Sequence, residues 1–364
     1  MPLFRPPPVI FPFFGYRSAT RLRIAARALR RRPPRWDHES RFAKMRALVS
    51  HFASREVAGL PVQLEIRSPS GALSRHASFT DQEGFVDFDL ELDDWPLAEH
   101  TEWETVRFAW NDGSGARTAE GYVLAPGASA DLAVISDIDD TIMETGITGG
   151  LHAVLRNWKR ILAQMPAERA QVPGANRFYS ALSGGAAAPG RHLPATRHPF
   201  FYISSSPWNL FAYLTAFMRS RNLPLGPLQL RDWGLNRETL GSKGHGEHKI
   251  AAMKGLLTFY PDMRFALIGD DTQADLVAFA QIVGQFPRRI AAIFIRKAGE
   301  AHSAEEVQAK ADIVRAGVPL WLGSHYDVGQ DFLDEIGLIH DDEAEQIVAA
   351  VRKTGHDRAS AASG

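Results

Sequence analysis

Polar and apolar positions change their rhythm twice along the chain. RLRIAARAL, residues 21–29, alternates polar and apolar at its start, the two-residue period of a half-buried strand. After RRRPPR, residues 37–52 set Phe42, Met45, Leu48, Val49 and Phe52 near helical spacing behind Asp37 as N-cap, which predicts a helix. Past Gly59 the period returns to two in PVQLEIRS, SFTDQEGFVDFDLEL, WETVRFAW and ARTAEGYVLA, with turn-forming residues between them. Residues 17–127 therefore read as a small β-rich, sandwich-like accessory domain, preceded by a proline-rich tail over residues 1–16.

Beyond the joint APGASAD (residues 125–131) the runs become apolar on both faces: DLAVIS, HPFFYIS, MRFALIG, RIAAIFIR and VPLWLG. They alternate with helical segments such as PWNLFAYLTAFMRSR and HKIAAMKGLLTFY, the pattern of a parallel sheet flanked by helices. The expectation is an α/β domain over residues 131–340, followed by a C-terminal helix and disordered tail over residues 341–364. A further helical stretch, GGLHAVLRNWKRILAQM, lies between Thr141 and Ser204, a separation too short for a large lid.

Composition narrows the classes. Lys and Arg total 41 against 42 Asp and Glu, a net charge of -1, so the molecule as a whole does not attract nucleic acid and no such partner is expected. Residues 21–46 hold ten basic residues against Asp37 and Glu39. That stretch reads either as a peripheral contact to anionic lipid or as a solvated face. With no cysteine there is no disulfide, thiolate zinc site or cysteine nucleophile. Prolines 6, 7, 8 and 12 interrupt the apolar start, which does not read as a signal peptide, and no run approaches the ~20 apolar residues of a spanning helix. A cytoplasmic protein is expected, at most peripheral to the inner face of a membrane.

Ligands of open parallel sheets sit beyond the carboxyl ends of the strands, so the residues just past each strand are the ones to weigh. DLAVIS runs into Asp137, Asp139, Asp140 and Thr141; HPFFYIS ends in Ser204, Ser205 and Ser206; MRFALIG precedes Asp270, Asp271 and Asp275; and Lys249 opens a predicted helix between the last two. Carboxylates converging from two strand ends repel unless a hard cation lies among them, and all-oxygen ligation suits Mg²⁺. A lysine and a hydroxyl in the same place suit phosphoryl oxygens. The chemistry indicated is Mg²⁺-dependent attack of a carboxylate on phosphorus.

SDIDDTI, YISSSPWNL, LRDWG and IGDDTQAD occur in an order that resembles the haloacid-dehalogenase-like phosphohydrolases, and within them the actin-patch type of phosphatidate phosphatase catalytic domain. The resemblance spans about residues 131–300, with a weaker likeness before them that includes TDQEGF. It implies Asp137 as nucleophile, Asp139 as general acid and base, Ser204 and Lys249 on the phosphoryl group, and Asp270 as Mg²⁺ ligand with Asp137 and the Asp139 carbonyl. Asp275 would support that site. The family usually has Ser-Gly after the first Asp of the last motif; Asp271-Thr272 stands here, so Asp271 enters as an extra or substitute ligand. The resemblance also makes phosphatidate or a related lipid phosphate the favoured substrate, with soluble esters, phosphoproteins, a non-catalytic receiver-like domain and a membrane adaptor as rivals.

Several residues carry two readings. Ser206 reads as N-cap of a helix starting at Pro207. Thr141, Ser205, Trp208, Trp233 and Arg231 are candidates for substrate contact, with core packing the alternative for the tryptophans. Lys243 in GLNRETLGSKGHGEHK competes with Lys249, and His245 and His248, lacking further spaced ligands, make a weak zinc reading.

Overall fold

Short alternating runs and long apolar runs produce two different sheets. The computed structural model describes residues 6–30, 56–138, 141, 174–187, 193–231, 244–271, 275–297, 303–324, 332–333, 335–336 and 338. The helices expected at residues 37–52 and 149–165, and the C-terminal region, lie outside these residues.

The first part holds β1 (Val9–Pro12), β2 (Phe14–Arg17), β3 (Arg21–Leu29), β4 (Pro61–Arg67), β5 (Leu73–Phe79), β6 (Phe85–Glu91), β7 (Glu102–Asn111) and β8 (Ala116–Ala125). Hydrogen bonds join all eight into one sheet, in the order β1-β3-β2-β8-β7-β4-β5 with β6 also on β3. All pairs are antiparallel except β2 with β8. The sheet folds over, so that Ile24 and Phe88 from one end share a core with Leu64 and Phe108 from the other. The rings of Phe88 and Phe108 meet edge to face at 6.0 Å.

The tail expected over residues 1–16 instead carries β1 and most of β2 of this sheet. Proline is tolerated on an edge strand because it needs no ladder donor there, and β1 with Pro12 at its end is such a strand. The basic residues of β3 are paired with acids of the same domain: Arg21 and Arg23 with Asp89 at 2.5 and 2.7 Å, and Arg27 with Glu56 at 3.2 Å. The rest of the basic stretch, residues 31–46, lies outside the described residues.

The second part is α/β. Strands β9 (Leu132–Asp137), β10 (Phe200–Pro207), β11 (Leu228–Arg231), β12 (Arg264–Asp270), β13 (Ile290–Arg296) and β14 (Leu320–Gly323) pair in parallel in the order β11-β10-β9-β12-β13-β14. Every residue of β9 is buried, as expected for a central strand covered on both faces. Five helices accompany the sheet among the described residues: α1 (Ala175–Leu182), α2 (Phe211–Ser220), α3 (Gly244–Phe259), α4 (Asp275–Gln285) and α5 (Ala304–Arg315). Helix α4 buries Leu276, Phe279, Ile282 and Val283, one face at i, i+3, i+6 and i+7. None of the described helices is long and apolar enough to cross a membrane.

The two parts share one core. Tyr16, Trp103 and Leu124 of the first sheet belong to the same buried cluster as the α/β strands. Tyr16 meets Phe201, Phe259 and Tyr260 at centroid distances of 5.7, 4.8 and 6.2 Å. Its hydroxyl accepts from Gln229 Nε2 at 3.3 Å. Beside it the buried Arg17 grips Glu104 with two bonds of 2.7 and 2.6 Å, and its carbonyl accepts from the Tyr260 hydroxyl at 3.2 Å.

Removing the Tyr16 ring should therefore loosen both parts together. Tyr16→Ala is expected to cost about 3–5 kcal/mol. Chemical denaturation followed by tryptophan fluorescence and by circular dichroism should give coincident transitions before and after the substitution.

Candidate functional site

The order of the α/β sheet reverses at β9: the chain moves outward through β10 and β11 on one side and through β12, β13 and β14 on the other. Connections diverging from that point leave a crevice at the carboxyl ends of β9 and β12. Asp137 is the last residue of β9 and Asp270 the last of β12, and the two strands are hydrogen-bonded neighbours. Ser204 lies on the other side, one residue beyond the pairing of Ile203 with Asp137.

The side chains then close on one another. Oxygens of Asp137, Asp270 and Asp275 lie within 4.8 Å of each other, and all three residues are buried. Thr141, four residues past Asp137, directs its hydroxyl between Asp137 Oδ2 at 3.2 Å and Asp270 Oδ2 at 3.3 Å. Lys249, buried on α3, sets its Nζ 3.0 Å from Asp137 Oδ1 and also bonds Asp275 Oδ1. The second oxygen of Asp275 accepts the Asp270 backbone N–H at 3.2 Å. Asp275 therefore spends one oxygen on the lysine and the other on the strand end that presents Asp270.

Electrostatics explain why the lysine is there. Burial alone would lower its pKa, but the charges of Asp137, Asp275 and Asp270, with the hydrogen bond to Asp275, hold it well above its ordinary value. The group stays an ammonium. Three buried carboxylates against one ammonium leave two formal negative charges in a dry place, and the donor set is all oxygen. A hard divalent cation fits that deficit, with Asp137 and Asp270 as the carboxylates best placed to hold it.

Backbone economy matters as much as charge. At Gly269 a Cβ would stand 2.5 Å from Asp275 Oδ2 and 2.9 Å from its Cβ, so only glycine lets Asp275 approach the end of β12. Ser136 donates to the Asp137 carbonyl at 2.7 Å and shares a 2.6 Å hydrogen bond with the Tyr179 hydroxyl. Both Ser136 in SDIDDTI and Gly269 in IGDDTQAD were visible as a small or polar residue at the end of an apolar run. Tyr179 carried no signal, because its helix joins Ser136 only in the fold.

Of the residues expected at the site, the structure brings together Asp137, Thr141, Lys249, Asp270 and Asp275, with Ser204 buried beside them on β10. Ser205 is buried next to Ser204, and Ser204 Oγ accepts the Ser206 N–H at 2.9 Å. Asp271 is partly exposed and is not among the three clustered carboxylates; its N–H donates to the Arg296 carbonyl at 3.1 Å. Helix α3 starts at Gly244, before the expected start, so Lys249 projects from within the helix and not from its first residue. Ser206 is still strand: β10 runs through Pro207, which precedes a 3-10 turn and has no hydroxyl with which to cap it. Trp208 packs at a tilt against Phe13, with ring centroids 4.3 Å apart, the packing alternative. Arg231 ends β11. Asp139, Asp140, Trp233 and Lys243 lie outside the described residues, and no histidine joins a metal-binding group among the described ones.

Replacing the ammonium should expose the charge imbalance. Lys249→Met is expected to lower stability by about 3–5 kcal/mol at pH 7 in urea denaturation. Because the folded-state pKa of Lys249 lies above its ordinary 10.5, the stabilisation in the native protein is complete below about pH 10.5 and is lost only as pH rises through the folded value. Gly269→Ala should cost about 1–3 kcal/mol in the same assay by driving Asp275 away from the strand end.

Residues 132–297 match the family model described as phosphatidate phosphatase APP1, catalytic domain. Over 251 residues the chain is 28% identical to phosphatidate phosphatase APP1 of Saccharomyces cerevisiae, an alignment covering 68% of this chain and 40% of that protein. Over 166 residues it is 27% identical to an uncharacterized protein of Schizosaccharomyces pombe, covering 45% and 25% respectively. The chain thus aligns with less than half the length of either relative. Among solved structures, a putative beta-galactosidase from Bacteroides fragilis aligns with 86% of this chain and 54% of its own at 10% identity, with a TM-score of 0.24, which carries no argument about fold. The family match covers the strands that carry Asp137, Ser204 and Asp270 and the helices that carry Lys249 and Asp275, so the part of this chain that is similar to the phosphatidate phosphatase APP1 catalytic domain is the part that holds the buried carboxylates.

Proposed function

We propose that the chain is a phosphomonoesterase of the haloacid-dehalogenase-like type that works through an aspartyl-phosphate on Asp137, with phosphatidate, converted to diacylglycerol, as the favoured substrate. The observation that carries the reading is the buried group of Asp137, Asp270, Asp275, Thr141 and Lys249 at the point where the strand order reverses. Counted within its domain, that order is 3-2-1-4-5-6, the arrangement of doubly wound Rossmann sheets, which supports the fold assignment. The match to the family model and the activity that names the yeast relative support phosphatidate as substrate.

In this reading the Asp137 carboxylate attacks phosphorus and forms an acyl-phosphate bond as the ester oxygen departs. Asp139, two residues on, protonates that oxygen and then takes a proton from the water that attacks the intermediate, releasing inorganic phosphate and restoring Asp137. Lys249 offsets charge on the phosphoryl oxygens and fixes Asp137 from one side, while Thr141 steadies its other oxygen. Ser204, buried on the neighbouring strand, donates to the phosphoryl group. Asp137 and Asp270 would hold Mg²⁺, with Asp275 supporting them through Lys249 and the Asp270 N–H. When bound, the ion supplies positive charge to the phosphoryl oxygens.

Phosphate release from phosphatidate in mixed micelles, lysophosphatidate, sugar phosphates and p-nitrophenyl phosphate tests this. Release should require Mg²⁺, stop with EDTA, and fall at least about 1,000-fold in Asp137→Asn. Preference for soluble esters would overturn the lipid substrate. Absence of release from any ester by the folded, Mg²⁺-supplied protein would overturn the enzyme and leave a binding or signalling domain.

A further inference from the structure

None of the described residues of the β-rich domain joins the buried group around Asp137, yet the domain holds the segment just beyond the three serines. In β10 the pairing to β11 shifts register between Ser204 and Pro207, so the ladder to β11 skips Ser205 and Ser206. A bulge of this kind re-aims side chains at the end of a strand, and its shape depends on what fixes the next residues. Those residues are Pro207 and the 3-10 turn Trp208–Leu210, which leads into α2.

The β-rich domain grips that turn. Asn209 Oδ1 accepts from Arg27 Nη1 at 2.6 Å. Trp208 lies 4.3 Å from Phe13 and 6.1 Å from Phe85, and Phe211 lies 5.0 Å from Phe13 and 5.2 Å from Phe14. Arg27 is itself fixed: Nε donates to the Glu83 carbonyl at 3.0 Å, Nη2 pairs with Glu56 at 3.2 Å, and the guanidinium lies 4.5 Å above the Phe85 ring. Its backbone is paired on both sides, to Phe11 of β1 and Phe85 of β6. A planar cation held at both its backbone and its fork is a rigid fixture, and it is 9% exposed.

We propose that Arg27 is a positioning residue for the phosphatase site. Through Asn209 it sets the geometry of residues 204–206, which makes the β-rich domain part of the catalytic unit. The proposal rests on the reading in which Ser204 meets the phosphoryl group. Donors to a transferring phosphoryl group act only when held within a fraction of an ångström, and misplacement by about 1 Å costs up to about 100-fold in rate.

The test uses the full chain as wild type, Arg27→Met, Arg27→Lys, Asn209→Ala and the Arg27→Met/Asn209→Ala double variant. It combines amide hydrogen exchange read by mass spectrometry with steady-state hydrolysis of a soluble phosphate ester. Peptides covering residues 204–211 should exchange faster in Arg27→Met and Asn209→Ala, with exchange in β12 unchanged. Turnover should fall about 10-fold with KM within about 2-fold, the double variant should be no worse than either single one, and Arg27→Lys should recover part of the loss. Asn209→Ala removes the contact without touching the sheet, so it decides the matter if Arg27→Met does not fold. Unchanged exchange at residues 204–211 in an active protein, or single effects that multiply in the double variant, would overturn the positioning role alone. A wild type that releases no phosphate from any ester would overturn the proposed function and this role with it.

Discussion

Like charges buried side by side are the constraint around which the α/β domain is arranged. Asp137, Asp270 and Asp275 bring their oxygens within 4.8 Å of one another at the ends of two neighbouring strands. A buried carboxylate without compensation costs several kcal/mol, so such a cluster persists only where cations, N–H groups and hydroxyls are fixed around it. Lys249 supplies one positive charge, Thr141 a hydroxyl, and the N–H of Asp270 a further donor. The remaining negative charge is the deficit that the proposed divalent cation would offset.

Each compensating group is held by the fold around it. Lys249 reaches the cluster because α3 runs beside the sheet, and Asp275 reaches the end of β12 because Gly269 has no side chain. Ser136, inside the buried strand, fastens the carbonyl of Asp137 to Tyr179 of α1. Rigid strands and helices thus place every group, as chemistry at a strand end requires.

The β-rich domain is joined to this arrangement by more than a linker. Tyr16 is buried among aromatic rings of the α/β domain, and Arg17, Arg27 and Trp103 each hydrogen-bond groups around that junction. A core continuous across both parts leaves little room for independent motion, which is why contacts far from Asp137 bear on the turn beyond Ser204.

Much of this was legible in the order of residues. Period-two runs marked β3, β4, β7 and β8, and runs apolar on both faces marked β9, β10, β12, β13 and β14, because burial on one or both faces dictates composition directly. Asp137, Lys249, Asp270 and Asp275 were legible as candidates because reactive groups stand at the ends of such runs or in the first turns of the helices after them. The short β1, β2 and β11, the extension of β10 through Pro207, the place of Ser136 and Tyr179, and the grip of Arg27 on Asn209 were not. Each of these depends on partners distant in the chain, 182 positions apart for Arg27 and Asn209, and no local period encodes a distant partner. The sequence by itself determined which segments are strands or helices and which residue types stand at the strand ends. Only the tertiary structure decided which carboxylates meet, which cation compensates them and which domain holds the serines, because those outcomes depend on how the sheets curl and on which faces close on each other.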